Sequence, residues 1–426
     1  METELMTKKM TFPQKGLEEA AIWQAMECAR QGDVDWRAGR LPGFYVHFAN
    51  DDVDRIGKIA LEKFHATNAL GLSAFPSIKK FESEVAEWAL SLFHGVGGVA
   101  SITSGGTESI FIAMKTAREW AKVARPEVTK PKMLISHSAH PAFDKAAKYL
   151  GLEVVRIMPR DDFKTDIAAL KAALDEQTII MAGSAPQFTM GVFDQIEELA
   201  ALASERNIWF HTDACVGGFL SPFAEQNGHQ IPLWDFRVKG VKSISADLHK
   251  YGFAPKGASI VAFSDAEYQQ YQVFDFNNWS RGRYVTSTFA GTRSGANIAA
   301  SWAVMRFLGN EGYCKIAEQI WTIRETLMRE IPTIEDLFVY GDPELTVMSY
   351  GSKSLDAADI AAGLADKGWH TVAPSLNPPA INLGILSLAF GEVVEAYLTD
   401  LRDVIAQLNA GEKSFDRSLI GTYGTK

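Results

Sequence analysis

Apolar residues in the middle of this chain switch repeatedly between two periods. Short β-branched runs at 153–157, 178–182 and 259–263 read as strands, and 208–213 reads as a buried strand that delivers an aspartate at its end. Between such runs the spacing becomes helical, as in Ile110, Met114, Ala117, Trp120 and Ala121. From residue 99 to about 263 this alternation predicts an α/β fold, a mostly parallel sheet covered on both faces. A preceding helix over 78–93 sets Phe81, Val85, Trp88, Ala89 and Leu92 on one face. Residues 1–60 read as an extended N-terminal arm with one helical stretch near 17–30. A helix over 297–308 leads into a part with a strand at 345–349 and helices near 357–367 and 393–408. The expected division is an arm (1–60), a large domain (61–305) and a small C-terminal α+β domain (306–426), with a loose tail from Gly411.

Composition narrows the partners. With 426 residues the chain can bury a large core. A net charge of −10 disfavours nucleic acid and gives no hint of an anionic membrane surface. Neither a cleavable signal nor a membrane-spanning apolar run is evident, and a small-molecule substrate is the natural partner. Cys28, Cys215 and Cys314 lie far apart, which points to a reducing compartment and a cytoplasmic location. His137 and His140 have no evident third ligand, so no metal site is expected.

Chemistry concentrates in residues 243–257, Ser-Ile-Ser-Ala-Asp-Leu-His-Lys-Tyr-Gly-Phe-Ala-Pro-Lys-Gly. A lysine at position 250, after a strand-forming run and before a glycine- and proline-rich turn, is suited to form a Schiff base with a carbonyl. Pyridoxal phosphate is the aldehyde enzymes most often hold this way. Three further segments fit such a cofactor. Gly105, Gly106 and Thr107 open a helix, where backbone N–H groups and the helix dipole favour a phosphate; taken alone they read more readily as a capped turn. Asp213, at the carboxyl end of a strand, suits the pyridine nitrogen or simply caps a turn. His140, at another strand end, can stack on a flat ring or serve as a structural group. Cys215 reads as a small buried residue beneath the cofactor.

Taken together, these residues resemble the fold-type I pyridoxal-phosphate enzymes of the group II decarboxylase group, and within it the sphingosine-1-phosphate lyase branch. The resemblance is carried by residues 103–109 (Thr-Ser-Gly-Gly-Thr-Glu-Ser), 138–140 (Ser-Ala-His), 186–188 (Pro-Gln-Phe), 213–215 (Asp-Ala-Cys), 235–241 (Asp-Phe-Arg-Val-Lys-Gly-Val), 243–257 and 290–293 (Ala-Gly-Thr-Arg). It implies a large transferase-like domain with a mostly parallel seven-stranded sheet and a small C-terminal domain. It implies Lys250 as the Schiff-base lysine, Asp213 on the ring nitrogen, His140 on the ring face, and Gly105, Gly106, Thr107 and His249 around the phosphate. Gly291 and Thr292 would reach the phosphate site of a neighbouring subunit, so a homodimer with interfacial active sites is implied, its arms wrapping the partner. Asn68 and Lys256 would lie on the substrate side, with Tyr251 and Tyr284 near the reacting centre.

One departure affects the substrate. Lyases of this branch tend to carry a histidine where this chain has Gly71, within 68–76 (Asn-Ala-Leu-Gly-Leu-Ser-Ala-Phe-Pro). Arg281 and Arg283 are alternative sources of positive charge, and with Lys250, Lys256 and Arg293 they form the candidate basic cluster. The expected reaction is retro-aldol carbon–carbon cleavage of a phosphorylated amino alcohol to an aldehyde and phosphoethanolamine. Amino-acid decarboxylation is the main rival, and a non-catalytic cofactor-binding protein a lesser one.

Overall fold

The computed structural model describes residues 12–42, 47–411 and 413–421. The chain divides into two units, 1–35 and 36–426. Among its described residues the first contains one α-helix, Glu19–Ala29, with no buried residue; Ile22, Trp23 and Met26 are exposed along it.

Seven strands build the main sheet of the second unit: β1 Val99–Thr103, β2 Lys132–Ser136, β3 Glu153–Ile157, β4 Thr178–Ser184, β5 Trp209–Asp213, β6 Val241–Ala246 and β7 Ser259–Phe263. Their order is β1-β7-β6-β5-β4-β2-β3. Only β7 runs against the rest, pairing antiparallel with both β1 and β6. The expected mostly parallel α/β sheet is therefore present. Alternate residues along its strands serve different cores. Leu134, Met181 and Phe210 join one apolar cluster, while Met133, Ile135, Ile180 and Trp209 join the other. That two-sided burial explains why the central strands read as continuous apolar runs.

Outside this sheet lie a hairpin, β8 Phe274–Phe276 with β9 Tyr284–Thr286, and an antiparallel C-terminal sheet. The latter contains β10 Leu337–Val339, β11 Met348–Ser352, β12 Ser375–Leu376 and β13 Pro379–Leu383, ordered β10-β11-β13-β12.

Several boundaries differ from expectation. The arm was expected to reach residue 60, yet Asp51–Phe64 is a helix of the second unit. Asn50 caps it by accepting from Val53 N at 3.0 Å, three aspartates complement its N-terminal dipole, and Val53, Gly57 and Ala60 are buried. Its apolar face packs on the long helix Gly295–Glu330. That helix also crosses the expected 305/306 boundary. Gly309, at φ 56°, interrupts it just where the sequence reading stops at residue 308, and helical backbone then resumes. The strand expected at 345–349 begins only at Met348, although Leu345 and Val347 are fully buried: burial, not strand pairing, selects their apolar character. Nor is the described part of the tail loose. Phe415 packs with Ala362 and Val404, and Gly421 N donates to Thr371 O at 2.9 Å.

Candidate active site

Because β1, β2, β4, β5 and β6 share one direction, their carboxyl ends open on the same edge of the sheet, where ligands of open α/β sheets bind. A cavity of about 670 Å³ lies there. Gly105, Gly106, Thr107, His140, Asp213, His249, Lys250 and Lys256 all line it. These residues come from separate segments of the chain, and the sheet brings them together.

The turn after β1 is held by buried hydroxyls. Thr103 Oγ1 lies 2.6 Å from Ser109 Oγ, which lies 2.9 Å from Ser259 Oγ on β7, and Ser259 donates to Ala246 O on β6 at 3.0 Å. Gly106, first residue of the helix Gly106–Ala124, has no room for a side chain. A Cβ there would lie 2.7 Å from Cys215 Sγ and 2.8 Å from Asp247 Oδ1. Glu108 closes the outer side, accepting from Ser104 N and Oγ at 2.7 and 2.6 Å and from Phe289 N at 2.9 Å. The result is a rigid loop with first-turn N–H groups free for an anion.

Lys250 follows β6, and its Nζ lies 2.9 Å from Asp247 Oδ2. Burial disfavours the ammonium, but the charge and hydrogen bond of Asp247 together with Cys215 and Asp213 outweigh it, and the lysine is held protonated above its ordinary range. Desolvation pushes the buried Asp247 up, and Lys250, His249 and Ser259 together hold it below the usual carboxylate range. Lys256 behaves oppositely. Burial, reinforced by Lys250, lowers it to about 8. Its Nζ donates to His47 Nδ1 at 2.9 Å, which assigns the imidazole proton to Nε2, and burial keeps His47 well below its ordinary range. Among the described residues His47 Nε2 has no hydrogen-bond partner.

Asp213, the last residue of β5, accepts through Oδ1 from Cys215 N and Ser245 Oγ, each at 3.1 Å. His140 accepts from Ala142 N through Nδ1 at 3.1 Å, and burial lowers its pKa. His249 similarly accepts from Ala258 N at 3.2 Å, and its Cε1 would be 3.5 Å from a Cβ on Gly105.

Other expected site residues lie elsewhere. Tyr251 is buried, its hydroxyl donating to Thr346 Oγ1 at 2.8 Å and accepting from Leu386 N at 3.1 Å. It is a packing aromatic with a satisfied polar tip, not a cavity group. Asn68 accepts from Leu70 N and Gly71 N, both at 3.1 Å, and shapes its own turn. At Gly71 the nearest atom to an added Cβ is 3.9 Å away, so the backbone does not demand glycine there. Tyr284, Arg281, Arg283, Gly291 and Thr292 belong to the hairpin region and do not line the cavity of their own chain. Arg283 pairs with Asp275, and Arg293 pairs with Glu82 and donates to Ile102 O at 3.0 Å. The expected five-cation cluster therefore reduces in the cavity to Lys250 and Lys256. His47, Asp247 and Ile385 line the cavity without having been singled out; the aspartate three residues before the lysine was the one with a readable signal.

The residues present suit pyridoxal phosphate: a lysine and a carboxylate face one cavity, and a side-chain-free helix start lies beside them. This is the site of a pyridoxal-phosphate-dependent lyase. Residues 65–353 match the pyridoxal-dependent decarboxylase conserved domain, and the chain belongs to that family. It is 37% identical to sphingosine-1-phosphate lyase of Arabidopsis thaliana over 98% of this chain and 77% of that protein. It is 30% identical to L-aspartate/L-glutamate decarboxylase of Pyrococcus horikoshii over 93% of this chain and 100% of that one. Among solved structures, the Burkholderia pseudomallei sphingosine-1-phosphate lyase superposes with a TM-score of 0.90 at 31% identity, covering 95% of this chain and 94% of that one.

Proposed function

We propose that the enzyme cleaves a carbon–carbon bond in a phosphorylated amino alcohol, releasing an aldehyde and phosphoethanolamine. The observation that carries this reading is the second cavity lysine: Lys256, held by His47 Nδ1 and the His249 carbonyl, adds a cation for an anion beside the groups that suit the cofactor. Similarity to the Arabidopsis and Burkholderia lyases supports the same reaction class. In this reading Lys250 carries the cofactor, Asp213 holds the ring nitrogen and His140 lies against the ring. The N–H groups of Gly105–Thr107, with His249, take the cofactor phosphate. Pyridoxal phosphate, when bound, supplies the electron sink for charge left on the substrate α-carbon. Asp247 Oδ2, 2.9 Å from Lys250 Nζ, fixes where the lysine ends in the cavity before the cofactor arrives. Lys256, positioned by His47, grips the substrate phosphate and sets which bond stands ready to break.

The rival is amino-acid decarboxylation. It is favoured by the Pyrococcus relative. The two are separated by supplying sphingosine 1-phosphate, aspartate and glutamate to the cofactor-loaded enzyme and assaying aldehyde and carbon dioxide together. Aldehyde from the phosphorylated substrate supports the lyase; carbon dioxide alone overturns it.

A homodimer completes the proposal. Phe289, Phe274 and Trp279 are 75%, 53% and 48% exposed in the region that holds Tyr284, Gly291 and Thr292. A second copy would cover these rings and receive Gly291 and Thr292 at its cavity.

A further inference from the structure

Behind Asp213 lies a line of polar side chains that the proposed chemistry does not use. Trp209, His211 and Asp213 alternate along β5 and so share one face; Ser243 and Ser245 do the same on β6. The register sets His211 beside Ser243 and Asp213 beside Ser245. Trp209 Nε1 lies 2.8 Å from Ser243 Oγ, and Ser243 Oγ lies 2.8 Å from His211 Nδ1. His211 Nε2 lies 3.1 Å from Ser245 Oγ, which lies 3.1 Å from Asp213 Oδ1. Trp209, His211, Ser243 and Ser245 are all fully buried.

The two ends fix the direction of every bond between them. An indole N–H can only donate, and an ionised carboxylate can only accept. Ser243 therefore receives from Trp209 and donates to His211 Nδ1. His211 then carries its proton on Nε2 and gives it to Ser245, whose own hydrogen goes to Asp213. The pattern requires a neutral imidazole. Burial supplies one, lowering His211 to about 4 against the opposing charge of Asp213.

We infer that Trp209, Ser243, His211 and Ser245 form a one-way hydrogen-bond wire that ends on Asp213 Oδ1 and orients that carboxylate as an acceptor, with His211 as its positioning residue. The inference rests on the proposed role of Asp213 toward the cofactor ring nitrogen. Each bond polarises the next, so the hydroxyl reaching Asp213 is a stronger donor than an isolated serine. A carboxylate supported this way leaves a shared proton on the ring nitrogen; without that support the proton moves to the carboxylate. The other titratable groups facing Asp213 are Lys250, His140, Cys215 and Asp247. Among the described residues, only Cys215 of these donates to Oδ1, through its backbone N–H at 3.1 Å and not through its thiol.

The test is the ¹⁵N resonance of ring-labelled pyridoxal phosphate in the holoenzyme, with cofactor affinity measured beside it. Asp213→Asn moves the resonance to the unprotonated position. Ser245→Ala and His211→Phe are expected to move it part of the way in the same direction, with Ser245→Ala weakening cofactor binding roughly tenfold. Ser243→Ala, which frees the histidine tautomer, gives the smallest shift. If Asp213→Asn moves the resonance and both Ser245→Ala and His211→Phe leave it in place, the wire is overturned while the role of Asp213 stands. An unchanged resonance in Asp213→Asn overturns both. Should His211→Phe fail to fold, Ser245→Ala decides alone, since it removes a single buried oxygen.

Discussion

The edge of the main sheet and the hairpin region that ends at Thr292 hold their polar groups in opposite ways. At the sheet edge, Asp213, Asp247 and His140 each have a fixed partner within the same chain, and backbone register sets their spacing. In the hairpin region Arg283 pairs only with Asp275, both exposed, and the aromatic residues around Tyr284 face outward. The first region is organised before any partner arrives. The second has burial and chemistry left to gain, and a second subunit is the proposed source.

Lys250→Ala attacks the organised side most directly. It should lower turnover roughly a thousandfold or more and abolish the visible absorbance of the cofactor-loaded enzyme, readable by steady-state assay and spectrophotometry. The hairpin side is tested by Gly291→Asp, expected to be inactive alone. Mixed dimers of Gly291→Asp and Lys250→Ala chains should regain activity, because one of the two sites then has both intact parts; no regain in mixed dimers would place Gly291 outside the partner's site. Gly106→Ala forces a Cβ against Cys215 and Asp247, and overpacking of this kind costs about 1–3 kcal/mol, visible as a lower Tm and weaker cofactor retention. Lys256 gives a pH signature. Its charge is present below about 8 and lost above, so KM for a phosphorylated substrate should rise as pH climbs through that value. Lys256→Met should leave KM high and flat. Tyr251→Phe is the smallest change: about 1 kcal/mol of stability lost with its two buried hydrogen bonds, and kcat nearly unaltered.

The same contrast decides what could be read from the chain alone. Strand ends that deliver Asp213, His140 and Lys250 were legible, because a buried parallel strand announces itself by an apolar run and its last polar residue stands out. The turn around Gly105 and Gly106 was legible for a related reason, since paired glycines before a helix mark a close approach. Tyr251 misled because an aromatic beside the key lysine looks functional, while its partners Thr346 and Leu386 are distant in sequence. Arg293 misled in the same way: its partner, Glu82, lies far back along the chain. His47 had no local signal, for only the fold brings it to Lys256. Helix lengths failed where tertiary packing extends a helix past a glycine, as it does beyond Gly309.

Strand β7 carries none of the reactive groups, yet it works as a ruler. It lies between β1, which ends at the proposed phosphate turn, and β6, which leads to the lysine, and Ser259 ties it to Ala246 of β6 and to Ser109 of the helix that follows β1. The two neighbours run two strand spacings apart, roughly 9–10 Å, and side chains close most of that gap. A Cβ on Gly106 would lie 2.8 Å from Asp247 Oδ1, while the other Asp247 oxygen is 2.9 Å from Lys250 Nζ. An aldehyde without its phosphate arm reaches the lysine but not the turn, so selection for the phosphorylated form of the vitamin begins with how closely the strands set those two ends.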